Sequence, residues 1–521
     1  MAESTITFLV LAGAVVLFVS NKVPVALVAI GVSLSLWATG VLELDQALGG
    51  FGDPTVIFIA ATFVVAEGLE ATGVTGWVGQ QMLSKAGSGS SRVLVIVMAV
   101  CAVITAVITP NASVAALIPA VVVIAIRTSQ PSSQLLMPLA FSAHAGALLA
   151  LTGSPVNVLI AEAADDAGVG SFGFFSFALV GIPVLIGVVA ITATVGRRLL
   201  PSRNGRSMPA DFGPLAAKLV EDYELDEPAD ELFTRQRGVV ELVVPPRSQL
   251  IGAEFFQGMV TESGTLVVIG IQRTGEDLGP GVVELRAGDA VLVQGSWQDL
   301  DLQLPDPDVL TVDDPDAVRR QVVPLGFGAK EALGILALMV ALLAFGIVPP
   351  AVAGLLAAGA LVLTKVVSID QAYRSISWTT VILVAGMIPL SLAMQQSGAA
   401  QKIADLLVSI VGDAGPYALV IGLFILVAIL GQLISNTATA LVVIPIAISS
   451  AAELGVSAKP VLMAVNVAAA AALMTPVATP ANLMVMEPGG YRFGDYWKLG
   501  SVLMVWFFVV AVLITPLIWS F

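Results

Sequence analysis

Charged side chains, cysteine and histidine are all scarce in this chain of 521 residues. Only 12% of the residues are charged and 57% are hydrophobic, and the mean hydropathy is +0.95. Soluble domains carry about twice that share of charge, so a wholly soluble chain is excluded. Apolar runs such as 6–19, 93–108 and 502–514 approach the roughly 20 residues that cross a bilayer. The sequence therefore predicts a polytopic membrane protein.

Enzyme signatures and disulfides are missing as well. Cys101 is the single cysteine, which excludes a disulfide within the chain and predicts a buried thiol. His144 is the only histidine, and a hydrogen-bonded packing role is favoured for it over a proton relay. No cluster has the spacing of a metalloenzyme, a nucleophile triad or a phosphate loop, so no catalysis is predicted.

The net charge of −15 comes largely from one polar stretch, 211–316, and it argues against a nucleic-acid polymer as a partner. The first five residues carry an acid and no base, which makes a poor signal peptide. The run that begins at Ile6 is therefore expected to be a retained first span.

Hydropathy and turn signals predict ten spans in two sets. The first set lies near 5–20, 23–40, 53–72, 133–165 and 171–196, and the second near 330–346, 350–366, 378–397, 457–487 and 496–519. Two further apolar pairs, 92–108 with 112–126 and 416–434 with 437–449, are interrupted by polar residues. We expect re-entrant hairpins at 92–126 and 416–449, within membrane repeats 1–205 and 326–521 that flank an insert at 206–325.

The two halves look like copies of one another. Asn111 and Asn436 are 325 positions apart (436 − 111), as are Asn157 and Asn482 (482 − 157), and both of the latter follow a Pro-X pair. Five crossings per copy is an odd number, so the second copy is expected to be inverted in the membrane. The fold class predicted is an all-α polytopic membrane protein with two inverted repeats of five transmembrane helices, a re-entrant hairpin in each, and a small α+β cytoplasmic insert.

Basic residues distinguish the two sides of the membrane. Lys402 and Lys459 alone fall on one side, whereas the opposite side receives Lys22, Lys85, Arg92, Arg127, Arg197, Arg198, Arg203, Arg206, Arg319, Arg320, Lys330, Lys365, Arg374, Arg492 and Lys498. The positive-inside rule makes the crowded side cytoplasmic. The insert is then expected inside, both termini outside, and the protein in the cell inner (plasma) membrane.

Polar breaks interrupt the apolar runs at corresponding places in the two halves. They lie at 109–113, 152–157, 435–439 and 475–482. Helix starts present free N–H groups and a positive dipole end, which suits an anion, while freed carbonyls and Asn, Ser and Thr oxygens suit Na⁺. Basic residues lie only at the ends of the predicted spans and not in their interiors. Ordinary polar kinks are the alternative, but four breaks in repeat-related positions favour a binding site.

The second pair of breaks resembles a known transporter family. Ser435-Asn436-Thr437 followed by Pro445, and the run 476–482, are similar to signatures of the divalent anion/sodium symporter (DASS) family of the ion-transporter superfamily. Gly153-Ser154-Pro155-Val156-Asn157 is similar to the first-half counterpart. The resemblance implies a homodimer, elevator-type alternating access, and import of a dicarboxylate, tricarboxylate or sulfate with Na⁺.

Candidate site residues follow from these breaks and this resemblance. The substrate-binding candidates are Asn111, Ser113, Ser154, Pro155, Ser435, Asn436, Thr437, Thr479 and Pro480. The Na⁺ candidates are Thr105, Thr109, Asn111, Gly153, Asn436 and Ala478. The tips of the two hairpins are the breaks at 109–113 and 435–439. The first tip reads Pro110-Asn111-Ala112 where the family has Ser-Asn-Thr, which leaves the coupling ion and its stoichiometry open.

The insert combines short β-type runs, 239–244, 265–271 and 290–294, with turn-rich pieces. The runs 241–246, 248–252, 269–273 and 285–295 resemble a TrkA-C (RCK C-terminal) domain. That resemblance implies dimerisation and a small regulatory ligand such as a nucleotide, although a structural brace of the dimer is an equal reading.

The leading functional hypothesis is Na⁺-coupled import of a small inorganic or organic divalent anion. A proton-coupled transporter or an anion exchanger on the same scaffold is the first alternative, given the altered first tip and His144. A membrane sensor with little transport is the second.

Overall fold

The computed structural model describes residues 2–20, 22–75, 77–78, 81, 90–128, 130–203, 220, 223, 232, 237–261, 264–274, 276–296, 299–300, 310–311, 328–411 and 415–521. Two compact units are present. One contains Met1–Leu69, Val78–Ser207 and Gly328–Phe521, and the other contains Glu70–Trp77 and Met208–Phe327. Four basic residues of the predicted cytoplasmic side, Lys85, Arg206, Arg319 and Arg320, lie outside the described residues, as does much of the predicted insert.

The first half of the first unit is a series of apolar helices. Its described helices are α1 Glu3–Ser20, α2 Val25–Ala38, α3 Leu44–Gly49, α4 Pro54–Ala71, α5 Ser90–Thr105, α6 Pro110–Arg127, α7 Leu136–Gly146, α8 Pro155–Asp166 and α9 Ala178–Ile191. Helix α9 continues through a π-helical turn at Thr192–Gly196. Proline at the start of α4, α6 and α8 suits a first turn, where its missing N–H has no partner to lose.

The second half repeats this order. Its helices are α10 Ala329–Ala344, α11 Pro350–Leu363, α12 Ile369–Ser375, α13 Trp378–Gln396, α14 Ala399–Val411, α15 Gly415–Leu430, α16 Asn436–Glu453, α17 Ala458–Ala470, α18 Pro480–Met484 and α19 Tyr496–Val509. A π-helical turn at Val510–Ile514 follows α19. The starts of α9 and α19 and the starts of their π turns are both 318 positions apart (496 − 178 and 510 − 192). The duplication thus extends to a local irregularity of the last helix.

Among the described residues, five helical stretches are long and apolar enough to cross a membrane. They are Leu44–Ala71, Ala178–Leu199, Trp378–Gln396, Asn436–Glu453 and Phe493–Ile518. The stretches predicted at 133–165 and 457–487 are interrupted, as their polar breaks indicated, and each gives two short helices. Helix α14 and the short helices α3 and α12 were not predicted, because they are amphipathic or too short for a hydropathy signal.

The second unit contains a small antiparallel sheet. Its strands are β1 Arg237–Val243, β2 Glu254–Phe255, β3 Leu266–Arg273, β4 Glu276–Asp277, β5 Val283–Glu284, β6 Ala290–Ser296 and β7 Leu310–Thr311. Five of them form a sheet of order β4-β3-β6-β1-β7, and β2 pairs with β5. Alternating apolar residues such as Val240, Val268 and Val293 form its core. The three predicted strands therefore coincide with β1, β3 and β6.

The end of the first half lies against the start of α19. Arg203 pairs with the buried carboxylate of Asp495 at 2.9 Å. The hydroxyl of Ser133 donates to the carbonyl of Pro201, and its backbone N–H donates to the carbonyl of Arg203. Tyr496, next to Asp495, donates its hydroxyl to the carbonyl of Asn482 at 2.7 Å. This contact fixes the start of α19 to the short helix α18.

Candidate functional site

Two unwound segments, 147–154 between α7 and α8 and 471–479 between α17 and α18, interrupt their helices at corresponding places. The side-chain amide of Asn157 donates to the carbonyls of Ala147 at 2.7 Å and Ala150 at 2.8 Å. The amide of Asn482 donates to the carbonyls of Ala472 at 2.9 Å and Thr475 at 3.1 Å. Each acceptor and each donor is displaced by 325 positions (472 − 147, 475 − 150 and 482 − 157). The two asparagines thus supply the donors that a helix break in an apolar environment requires.

Hydroxyl side chains cap the helices that follow the unwound segments. Ser154 accepts from the backbone N–H of Val156 at 3.2 Å at the start of α8. Thr479 accepts from the N–H of Asn482 at 3.3 Å at the start of α18. The prolines that follow, Pro155 and Pro480, occupy the first helical turn. Sequence reasoning placed all four residues at helix starts, and they lie there.

Residues near the tips of the two helical pairs form hydrogen bonds with the unwound segments or with the helix that follows. In the first hairpin, α5 and α6, the Oδ1 atom of Asn111 accepts from the backbone N–H of Ala481 at 3.1 Å. Thr152 of the first unwound segment donates to the carbonyl of Ala106 at 3.0 Å. In the second hairpin, α15 and α16, Gln432 accepts from the N–H of Met474 at 3.1 Å. Gln432 was not predicted, although it is a polar residue just before the second tip.

Two of the predicted sodium or substrate ligands in the first hairpin pair with each other. The hydroxyls of Thr105 and Ser113 are 2.5 Å apart, and both side chains are fully buried. The Thr105 hydroxyl donates to the carbonyl of Cys101 at 2.8 Å. The thiol of Cys101 is buried, as predicted. These two hydroxyls therefore hold α5 to α6.

The second hairpin and its unwound segment differ from the first. Asn436 Oδ1, Thr439 Oγ1 and Thr475 Oγ1 are buried and have no hydrogen-bond partner in the described part of the chain. Ser435 accepts from the N–H of Ala438 at 3.3 Å and so caps α16. Three oxygens without a donor are suited to a cation.

A pocket with about 300 Å³ of empty space, part of it open to solvent, lies between these elements. Its lining consists of Pro110, His144, Ala147, Leu148, Ser154, Val156, Asn157, Asn436, Asn466, Ala469 and Ala470. The lining contains polar side chains but no Lys, Arg, Asp or Glu among the described residues. The starts of α6, α8 and α16 all reach it.

The pocket brings together only part of the predicted site. Ser154 and Asn436 line it. The other candidates lie in the two hairpins, in the unwound segments or at the starts of α8 and α18, but not in its lining; they are Asn111, Ser113, Pro155, Ser435, Thr437, Thr479, Pro480 and the sodium candidates Thr105, Thr109, Gly153 and Ala478. Gly153 and Ala478 each end a 3₁₀ turn, 325 positions apart (478 − 153). Asn466 was missed as a site residue, and His144 was expected to pack rather than to line the pocket. Each lies in a mostly apolar helix with one other polar side chain, Ser142 in α7 and Lys459 in α17.

His144 and Asn466 make contacts between the two halves. The Nε2 atom of His144 lies 3.2 Å from Asn482 Oδ1 and 3.1 Å from Thr479 Oγ1. The amide of Asn466 donates to Asn157 Oδ1 at 2.9 Å. His144 is only 3% exposed and Asn466 1%. Both are therefore hydrogen-bonded, buried side chains at the edge of the pocket.

Comparisons with known proteins show that the chain is similar to membrane transporters. The chain is 29% identical over 601 aligned positions to the uncharacterized transporter YfbS of Escherichia coli K12, with 98% of each chain covered. It is 30% identical over 157 positions to sodium/sulfate cotransporter 1 of Chlamydomonas reinhardtii, which covers 30% of this chain and 18% of that protein. The YdaH transporter structure from Alcanivorax borkumensis has the same fold, with a TM-score of 0.52, 13% identity, and 97% and 98% of the two chains covered.

A family model described as a citrate transporter, CitMHS, matches residues 15–468 and 414–521. This match spans nearly the whole chain and confirms the resemblance at the level of CitMHS/DASS-like ion transporters. The chain belongs to the citrate transporter family and is a multi-pass membrane transporter of anions rather than an enzyme.

Proposed function

We propose that this protein is a secondary active transporter that imports a small divalent anion, sulfate or a di- or tricarboxylate, together with Na⁺. The observation that carries the proposal is the pocket between the hairpin starts and the first unwound segment. Its lining offers an anion the N–H groups and dipoles of helix starts in place of a basic side chain. The cotransporter of Chlamydomonas is named for sodium and sulfate, and the family for citrate.

The sodium ion is assigned to the second half. Na⁺ prefers oxygen ligands that are not already engaged, and Asn436, Thr439 and Thr475 each supply a buried oxygen without a donor. In the first half, by contrast, Thr105 and Ser113 bond to each other and Asn111 accepts from Ala481. A cation beside the anion also lowers the cost of desolvating both. This difference supports cation binding by the second hairpin rather than by the first.

The wider architecture belongs to the same proposal. The two halves are inverted repeats with five crossings each, and the hairpins 92–126 and 416–449 are re-entrant. The protein works as a homodimer in the plasma membrane by an elevator-type movement. The insert is a cytoplasmic TrkA-C-like domain that either binds a small regulatory ligand or braces the dimer. The repeated order of helices, the repeated helix breaks and the sheet of the second unit support this reading.

Uptake of labelled anions into proteoliposomes tests the proposal. An inward Na⁺ gradient is expected to drive uptake of one or more of sulfate, succinate and citrate, and Asn436→Ala is expected to abolish the dependence on Na⁺. The control is Thr194→Ala, because the Thr194 hydroxyl donates within its own exposed helix turn. Uptake that is indifferent to both Na⁺ and Asn436→Ala would refute the proposal.

Proton coupling or exchange is a second candidate, favoured by the position of His144 in the pocket lining. A pH gradient that drives uptake without Na⁺, and no longer does so in His144→Ala, would support it. A sensor with little transport is distinguished by deletion of 210–323, since a transporter keeps its flux while a sensor shows none before or after the deletion.

A further inference from the structure

His144 and Asn466 lie in corresponding helices of the two halves, each in the helix that precedes the unwound segment. Helix α7 begins at Leu136 and α17 at Ala458, a separation of 322 positions (458 − 136). His144 and Asn466 show the same separation (466 − 144), so each is the ninth residue of its helix. The offset of 325 that relates the unwound segments pairs His144 with Ala469, about one helical turn beyond Asn466, so the two polar residues lie in equivalent helices but not at the same repeat position.

Each of these residues contacts the asparagine of the opposite half. His144 in the first half reaches Asn482 in the second, and Asn466 in the second half reaches Asn157 in the first. We call these the cross-half contacts. Neither residue bonds to the unwound segment of its own half in the described structure.

The donors and acceptors of the cross-half contacts are fixed by the neighbouring bonds. Asn157 and Asn482 each use the amide nitrogen for two carbonyls of their own unwound segment. Their Oδ1 atoms therefore remain as acceptors. Asn466 supplies an amide N–H to one of them, and His144 supplies its Nε2–H to the other. A histidine and an asparagine thus do the same work, which is to donate one hydrogen bond across the halves.

We infer that His144 and Asn466 are reciprocal positioning residues of the transport site. Each orients the asparagine that holds the other half's unwound segment, so the two segments keep one relative geometry around the pocket. Both residues also line that pocket, so a loss of either contact changes the site that an anion meets. The inference rests on the proposed function for its consequence in transport, but the structural contact itself does not depend on it.

Backbone hydrogen exchange of the full-length protein in detergent tests the contact without any substrate. His144→Ala is expected to increase the rate of amide exchange in residues 471–482. Asn466→Ala is expected to increase it in residues 147–157. In each case the increase lies in the half that does not carry the substitution. Ser142→Ala is the matched control, because Ser142 is buried in the same helix as His144 and donates to the carbonyl of Leu139 within that helix. An increase confined to the substituted half would overturn the inference.

Transport kinetics test the consequence. His144→Ala is expected to raise the KM for the anion about tenfold, the size expected for one lost buried hydrogen bond, with a smaller change in the maximal rate. His144→Asn restores an amide donor of the kind its counterpart uses and is expected to keep the KM within about threefold of the wild-type value. Equal impairment in both variants, or a wild-type KM in His144→Ala, would overturn the inference.

The two experiments separate the inference from the proposed function. If wild-type protein takes up no anion, the proposed function fails while the exchange pattern still decides whether the cross-half contacts act as inferred. If His144→Ala does not fold, Asn466→Ala and Asn466→His provide the same comparison in the other half. There the donor is expected to be restored by histidine, and a defect of equal size in both Asn466 variants would contradict the inference.

Discussion

Single asparagines determine how the helix breaks are tolerated. Asn157 and Asn482 are fully buried, and each donates to two carbonyls of its own unwound segment. Of these carbonyls, that of Ala150 also accepts from the backbone N–H of Gly153. A buried acceptor that loses its donor costs roughly 1–3 kcal/mol. These two residues are therefore required for the broken geometry itself, before any ligand is considered.

Replacing Asn157 with aspartate tests this role. Asn157→Asp keeps the shape and the oxygen that accepts from Asn466, but it removes both N–H donors to Ala147 and Ala150. The carbonyl of Ala150 keeps the N–H of Gly153 as a donor, whereas that of Ala147 loses its side-chain donor. We expect a loss of roughly 1–3 kcal/mol, seen as a lower thermal unfolding temperature in detergent, together with reduced uptake. An unchanged unfolding temperature would show that the carbonyls find other partners.

At the scale of single residues, the sequence indicated the polar residues that are identical in the two halves but not those that differ between them. The equal spacing of Asn157 and Asn482, and the prolines before them, predicted that the two residues correspond in the two halves, although neither was among the candidate site residues. His144 and Asn466 differ in residue type and are 322 positions apart (466 − 144) rather than 325, so comparison of the halves did not pair them. The bond between Thr105 and Ser113 depends on how the first tip turns, which spacing does not specify.

The last helix of each half packs on an unwound segment through a glycine. A side chain at Gly181 would clash with the carbonyl of Leu148, and one at Gly500 with the carbonyl of Leu473. The two carbonyls are again 325 positions apart (473 − 148). Helices α9 and α19 therefore support the two unwound segments from equivalent directions.

Gly500→Ala is expected to displace the second unwound segment. The added methyl group has no room against the backbone of Leu473, and forcing it in costs about 1–3 kcal/mol. We expect a lower unfolding temperature and slower anion uptake. Gly334→Ala is the matched control, since it lies within α10 and a methyl group there meets nothing within 4 Å. Equal behaviour of the two variants would contradict this role for Gly500.

An ion pair ties β3 to the turn before β6 in the second unit. Arg273 donates two hydrogen bonds to the Asp289 carboxylate, each of 2.7 Å. Burial alone would raise the pKa of Asp289, but the bonds from Arg273 and from the backbone N–H of Arg286 outweigh it and the pKa is lowered. A lowered pKa adds stability above the ordinary value of 3.8, and that stability is lost as the pH falls through the lowered pKa.

Arg273→Gln is therefore expected to lower the unfolding temperature of the sheet at pH 7, with a difference from wild type that shrinks below about pH 3. Limited proteolysis of the full-length protein during heating, with cleavage in 237–296 as the readout, provides the measurement. A difference that is the same at both pH values would show that the ion pair contributes nothing through charge.

Hydropathy also predicted the long helices and the sheet strands well, because both depend on local pattern. Helix α4 was expected at 53–72 and is Pro54–Ala71, and β6 begins at Ala290 as expected. Helix α14 was missed because its apolar residues cover one face only, which lowers the average that a hydropathy window measures. The contacts between the two halves could not be predicted, since they join residues more than 300 positions apart.

The distribution of basic residues predicts how the whole molecule is oriented in the membrane. Lys402 donates to the hydroxyl of Ser4 at 2.7 Å, and Lys459 to the carbonyl of Ser171 at 3.3 Å. Arg203 and Lys498 lie together around Asp495. The positive-inside rule therefore predicts that Ser171 faces the outside and that the segment around Arg203 faces the cytoplasm.

Labelling of introduced cysteines tests this orientation. Ser171→Cys is expected to react with a membrane-impermeant maleimide on intact cells, whereas Ser202→Cys is expected to react only after permeabilisation. Both serines are exposed, and the native Cys101 is buried, so the background is low. Reaction of Ser202→Cys on intact cells together with protection of Ser171→Cys would reverse the orientation.

The exchange of hydrogen bonds between the halves means that neither copy completes its own break. The Oδ1 atom of Asn157 accepts a hydrogen bond from α17, and the Oδ1 atom of Asn482 accepts one from α7. A gene cut between the repeats would thus yield two fragments whose unwound stretches become ordered only when both are present. With the two halves inverted as proposed, an ancestor encoded by one unduplicated copy would have needed two oppositely oriented molecules to build the same centre.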